Sequence, residues 1–180
     1  SHHMRSTGKF PSALKYFPQY LAEKGYYCTN NSKTDYNLKY DVAEIWDESS
    51  SRAHWRNRKS PDQPFFAVFN FGGTHESAVN GEAKHLGIIE DVPADMLKSP
   101  DEITIPPYFP DVPVVRELWT RYYNNISALD FWIKDFLQQL EEDGLAENTI
   151  VFFYGDHGAG VPRHKRWLYD SGLRVPMIVY

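Results

Sequence analysis

Cysteine is nearly absent from this chain. The single residue, Cys28, excludes an internal disulfide framework and leaves the redox compartment open. A basic excess is missing too. Lys and Arg number 19 against 24 Asp and Glu, for a formal net charge of -5, whereas a nucleic-acid binder usually presents a basic face. The basic residues gather only between Arg52 and Lys59, which reads as a solvated surface segment rather than a binding patch. No apolar run approaches the roughly 20 residues that span a bilayer, and no signal peptide opens the sequence. Internal repeats and low-complexity tracts are also lacking.

What remains is 180 residues, 42% hydrophobic and 16% aromatic, a composition that suits one globular domain with a sizeable core. Both ends read as cut. The opening SHHMRS is either a tag remnant or the middle of a natural sequence, and RVPMIVY closes the chain on a strand-like run with no finishing element.

Hydrophobic periodicity supplies a coarse map. Pro11 to Lys24 reads as a short helix with Leu14, Phe17, Tyr20 and Leu21 on one face and Gly25 as its stop. A short strand from Gly25 to Asn30 then runs into the polar NNSKTDYN. PFFAVFNF, Pro64 to Phe71, is a continuous apolar run of the kind covered on both faces in a parallel sheet. Beyond a Pro-rich loop, Val115, Leu118, Tyr122, Ile126, Leu129, Ile133, Phe136, Leu137 and Leu140 step by threes and fours. They predict one long amphipathic helix ending near Asp143-Gly144. Its aromatic residues read as packing, and Glu141, Glu142 and Asp143 as a solvated acidic tip. Thr149 to Tyr154 reads as a buried strand, with Val175 to Val179 as a further candidate.

Two-sided apolar strands separated by a helical connection argue for an α/β fold, with a largely parallel central sheet flanked by helices. In open sheets of that kind, ligands bind beyond the carboxyl ends of the strands. Lys33 follows the first strand, His75 the second, and Asp156 with His157 the third, inside YGDHGAG. A carboxylate and an imidazole are ligand types for a divalent metal, though such a pair after a strand is more often a hydrogen-bonded loop contact. Lysine can meet an anion, and a histidine can donate or shuttle a proton. Together these types suit a tetrahedral oxyanion such as a sulfate or phosphate ester. Cys28, set among Tyr26, Tyr27 and Thr29, reads as a small buried apolar residue.

A longer pattern narrows the choice. NTIVFFYGDHG, Asn148 to Gly158, followed by HKRWLYDSGLRVP, His164 to Pro176, resembles the end of the sulfatase catalytic domain in the alkaline phosphatase superfamily. FPQYLAEKGYY, Phe17 to Tyr27, is similar to the helix and strand that precede that family's lysine motif. TNNSKTDYN looks closest to the heparan N-sulfatase-like branch. The resemblance implies an alkaline phosphatase-like fold, partial here, with residues 1–180 forming one portion of a single catalytic domain truncated at both ends. It implies Asp156 and His157 as metal ligands. Lys33, His75 and Lys165 would contact sulfate oxygens or the leaving oxygen, with His75 assisting departure. The implied metal is calcium, although an imidazole ligand suits manganese or zinc better by softness.

Departures from the family pattern are specific. The usual G-K-x-H is Ser32-Lys33-Thr34-Asp35 here, so Asp35 is left unassigned, and His157 stands where many members have asparagine. Asp130 and Arg174 recur in the pattern and read as structural. The formylglycine motif C-x-P-S-R does not occur, since Thr29 and Asn30 follow Cys28; the resemblance implies that this nucleophile lies upstream. These 180 residues alone are therefore expected to show no sulfatase turnover. The implied activity is hydrolysis of a sulfuric ester or sulfamate on a small sulfated sugar or aryl substrate, with a periplasmic, lysosomal or secreted location. A phosphonate monoester or phosphodiester hydrolase of the same superfamily is the first alternative, and a non-catalytic α/β binding module the second.

Overall fold

The structure, a computed structural model, describes residues 8–180, so SHHMRS lies outside the described residues. The chain divides into two units, the first ending at Asn70 and the second running from Phe71 to Tyr180. Its architecture is α/β, with parallel strand pairing throughout the first unit.

In the first unit, Pro18 decides where helix α1, Phe17–Ala22, begins. Proline lacks an N–H and clashes with the preceding turn, so it is tolerated only at a helix start. The helix is consequently shorter than the periodicity from Pro11 predicts. Leu21 faces the core, while Leu14, Phe17 and Tyr20 are exposed. At the other end Gly25 takes a φ of 88°, a left-handed stop that lets Tyr26 N–H reach back to the Leu21 carbonyl at 3.2 Å.

The chain then enters β2, Tyr27–Asn31, flanked in a parallel sheet by β4, Glu48–Ser49, and β5, Phe65–Phe69. The short strands β1, Gly8–Lys9, and β3, Leu38–Lys39, form a separate parallel pair. Cys28 is fully buried with Ile45 and Trp46, against which Leu21, Phe66 and Val68 pack. Burial, followed by the charge of Asp47, pushes its thiol up to about 11, so Cys28 is a small core residue and not a reactive thiol. Asn30 is fully buried as well. Its amide donates to the Lys33 carbonyl at 2.8 Å and to Ser49 Oγ at 3.3 Å, and its Oδ1 accepts from Asn70.

In the second unit, α2, Glu76–Asn80, and α3, Glu82–Ile89, lie on the long helix α4, Pro113–Glu142. Pro113 starts α4, and Gly144, at a φ of 66°, ends it as the sequence predicts. Val79, Ile103, Trp119 and Val161 form the core, joined by Ile105 and Phe109 from the Pro-rich loop. A buried polar contact crosses the same helices, His85 Nδ1 to Asn125 Oδ1 at 2.7 Å.

The last two strands depart from expectation. β6, Phe152–Tyr154, pairs antiparallel with β7, Met177–Val179, and Phe152, Tyr154 and Ile178 are exposed rather than buried. The connection between them holds only the single-turn helix α5, Asp170–Leu173. It closes on itself through Gly158 N–H to the Gly172 carbonyl and Gly155 N–H to the Pro176 carbonyl. The chain thus returns along β6 instead of crossing over to run beside it.

Candidate active site

His75 sits at the start of α2, where its ring caps the helix. Its Nδ1 accepts the Ser77 N–H at 3.2 Å and lies 2.8 Å from Ser77 Oγ. A backbone N–H can only donate, so Nδ1 carries the lone pair and the proton of the neutral ring resides on Nε2. Lys84 Nζ donates to Ser77 Oγ at 2.8 Å, which turns the hydroxyl proton toward the imidazole and reinforces that tautomer.

The proton-bearing Nε2 of His75 faces Lys165 Nζ at 3.4 Å. Ammonium has no acceptor, so two donors meet here. Such a meeting becomes favourable when one anionic oxygen is shared between them. Lys165 is carried on the β6–α5 loop, anchored by its own N–H to the Ala159 carbonyl at 3.0 Å. Arg163 and Arg166, bracketing it, take φ values of 68° and 72°. Side chains in that left-handed region cost about 1–2 kcal/mol each, and such strain persists where surrounding contacts over-determine it.

One of those contacts was invisible in the sequence. Arg166 donates to both carboxylate oxygens of Glu76 at 2.7 and 2.8 Å, and Lys165 Nζ lies 3.5 Å from the same carboxylate. The Arg166 hydrogen bonds above all, with the Lys165 charge behind them, hold the Glu76 carboxyl down at about 2. Gly160 makes the approach possible, since a side chain there would place its Cβ 2.6 Å from Glu76 Cα. Only adjacency to His75 and Lys165 in the sequence marks Glu76 and Arg166 as members of the site.

Asp156 and His157 follow β6 directly. His157 Nδ1 donates to the Gly158 carbonyl at 2.7 Å, which leaves Nε2 as the lone-pair nitrogen, 3.6 Å from Asp156 Oδ2. The structure therefore brings His75 together with Lys165, and Asp156 together with His157. Lys33 belongs to the first unit, on the loop after β2 that Asn30 fastens. A groove of about 820 Å³ along the C-terminal half of α4, lined by Pro93, Met96, Phe131 and Leu137 among others, contains none of these residues.

Comparison with known proteins decides which family the site serves. The sulfatase family model matches residues 3–180. The chain belongs to the sulfatase family. An ulvan-active sulfatase of Formosa agariphila is 46% identical over 196 aligned positions, covering 94% of this chain and 32% of that protein. A second ulvan-active sulfatase from the same organism is 28% identical, over 86% of this chain and 30% of its own length. Human N-sulphoglucosamine sulphohydrolase is 27% identical, over 66% of this chain and 26% of its own length. The chain thus spans between about a quarter and a third of the length of these three relatives. Among the described residues no helix is long and apolar enough to cross a membrane.

For this sulfatase chain, the donor chemistry at Asp156 and His157 fits a divalent cation. A carboxylate and a lone-pair nitrogen side by side are both ligand types for a divalent cation, and the Gly158 carbonyl fixes the tautomer that a ligating imidazole requires. The pair could supply two ligands. Among the described residues no group of three or more His, Cys, Asp or Glu side chains completes a shell.

Proposed function

We propose that this chain forms part of the catalytic domain of a hydrolase that cleaves sulfuric esters or sulfamates of sugars or aryl groups. The observation that carries the proposal is the meeting of His75 Nε2 and Lys165 Nζ at 3.4 Å. Two donors converging on one point, with the imidazole proton held outward by Ser77, form a receptor for a single anionic oxygen. Lys165 neutralises charge on the bound oxyanion. His75 gives its Nε2 proton to the oxygen of the departing alcohol as the sulfur–oxygen bond breaks, the role of a general acid. Ser77 keeps the ring from turning away during that transfer. Lys33 is proposed as a second cation toward the sulfate. Asp156 and His157 are the residues proposed to hold a divalent metal, calcium first and manganese or zinc as alternatives, which would polarise the sulfate when bound.

The nucleophile in this reading is a formylglycine outside the 180 residues. Cys28 does not qualify, being buried in the first unit with its thiol pushed up to about 11. Relatives named for their action on ulvan favour a sulfated polysaccharide or a fragment of one as substrate, and export from the cytoplasm belongs to the same proposal.

Turnover of an aryl sulfate and of a sulfated oligosaccharide by the full-length protein tests the reading. His75→Ala and Lys165→Ala are each expected to lower kcat by about a hundredfold or more, and Asp156→Asn to lower bound metal. Turnover of a phosphonate monoester without any sulfate ester would replace the reading with that alternative. Absence of both activities would leave the binding module.

A further inference from the structure

The carboxylate of Glu76 sits where an anion-binding site should least tolerate one. It lies beside His75 in sequence and 3.5 Å from the ammonium proposed to bind sulfate. An uncompensated negative charge there would repel the substrate. Compensation comes from Arg166, whose planar fork occupies both carboxylate oxygens in the bidentate geometry that guanidinium favours.

The division of labour is unequal. The side chain of Arg166 is 59% exposed, so it neutralises Glu76 from the solvent side, whereas that of Lys165 is only 15% exposed. With Arg166 taking the hydrogen bonds, Lys165 is held by charge at 3.5 Å rather than by a saturated hydrogen bond. Its remaining ammonium protons stay available to an oxyanion in front of His75. Two cations and one carboxylate leave this cluster with a single net positive charge. A sulfate ester carries one negative charge, while a phosphate monoester carries close to two at neutral pH.

We infer that Glu76 positions Lys165 and, by offsetting one of the two cations it binds, selects a singly charged ester over a doubly charged one. The inference rests on the proposed sulfate site at His75 and Lys165. Glu76 itself touches neither substrate nor reacting atoms. It acts through the placement of Lys165 and through its field.

The test uses the full-length protein with 4-nitrophenyl sulfate and 4-nitrophenyl phosphate, comparing kcat/KM for the two at neutral pH. Glu76→Gln keeps shape and removes charge; it should lower sulfate turnover and move the sulfate-to-phosphate ratio toward phosphate by about five- to tenfold, the scale of one unit charge a few ångströms away. Glu76→Asp keeps the charge on a shorter arm, so kcat should fall while the ratio stays. In Glu76→Gln combined with Arg166→Gln the net charge of the cluster is restored, and the ratio should return to the parent value. A merely structural role predicts that all three variants lose activity with no change in ratio, and that result would overturn the inference. Loss of folding in Glu76→Gln is checked by its melting temperature, and the double variant, in which Arg166 and Glu76 lose their charges together, then carries the comparison against Arg166→Gln alone. That single variant should shift the ratio further toward sulfate, and an unchanged ratio there also overturns the inference. Failure of the parent protein to hydrolyse the sulfate ester at all would instead mark failure of the proposed function.

Discussion

Glu76 and Arg166 stand 90 residues apart in sequence and share two hydrogen bonds at 2.7 and 2.8 Å. The pair locks the start of α2 to the loop after β6 and so aligns His75 with Lys165. Its strength depends on an ionised carboxylate, which gives the contact a pH signature.

Hydrogen bonds from Arg166 lower the Glu76 carboxyl from an ordinary 4.5 to about 2. A carboxyl depressed in the folded state adds stability that is fully present above its unfolded pKa and is lost as pH falls through its folded pKa. The difference in melting temperature between the parent and Arg166→Gln should therefore be constant above about pH 5 and shrink as pH falls from 4.5 toward 2. A difference that persists undiminished at the acid end would show that the pair acts by packing rather than by charge.

Gly160→Ala introduces a Cβ that would lie 2.6 Å from Glu76 Cα. Backbone cannot yield as a flexible side chain can, so the loop must shift, at a cost of about 1–3 kcal/mol. Expected are a lower urea midpoint and a fall in kcat, because the shift moves Lys165 away from His75. Unchanged stability would mean that the two segments approach less closely than described.

Trp119 is almost fully buried at the centre of the second unit's core and meets Phe109 edge to face at 5.5 Å. Trp119→Ala should cost about 3–5 kcal/mol in urea unfolding, and Trp119→Phe distinctly less, since the ring contact survives. Equal losses for the two would show that the edge-to-face contact with Phe109 is not what stabilises this core.

Cys28 should resist alkylation in the native protein at neutral pH and react readily in urea, because it is buried and its thiol is raised to about 11. Rapid native labelling would contradict the described core of the first unit.

Some of this was legible in the residues themselves. The long helix α4 was readable because its apolar positions recur at a spacing that only a helix converts into a face, and its glycine stop is a local signal, whereas Pro113, its first residue, reads in the sequence as the end of the Pro-rich loop. The sulfatase pattern around Asp156, His157 and Lys165 was equally readable, since YGDHG and the segment after it are contiguous in sequence. Glu76 was not, because its meaning lies in a partner ninety residues away and neither residue carries a distinguishing spacing. The antiparallel pairing of β6 with β7 escaped for a related reason. Apolar runs report that a strand is present, but its direction was decided by two glycine N–H groups that draw the connection back on itself. Likewise the exposed face of α1 shows that a short periodic segment names its residues without saying which of them meet a neighbour.

The connection from Gly158 to Gly172 is tied at its ends by one hydrogen bond and braced inside by the Lys165 N–H to the Ala159 carbonyl. It behaves as a closed ring rather than an open strap, and a ring opens only when its ties release together. Amide protons at Gly158 and Lys165 should then exchange with solvent in concert. Lys165 and Arg166 ride on that ring, so the positive charges of the site would be withdrawn or presented as one mechanical unit, with their spacing unchanged.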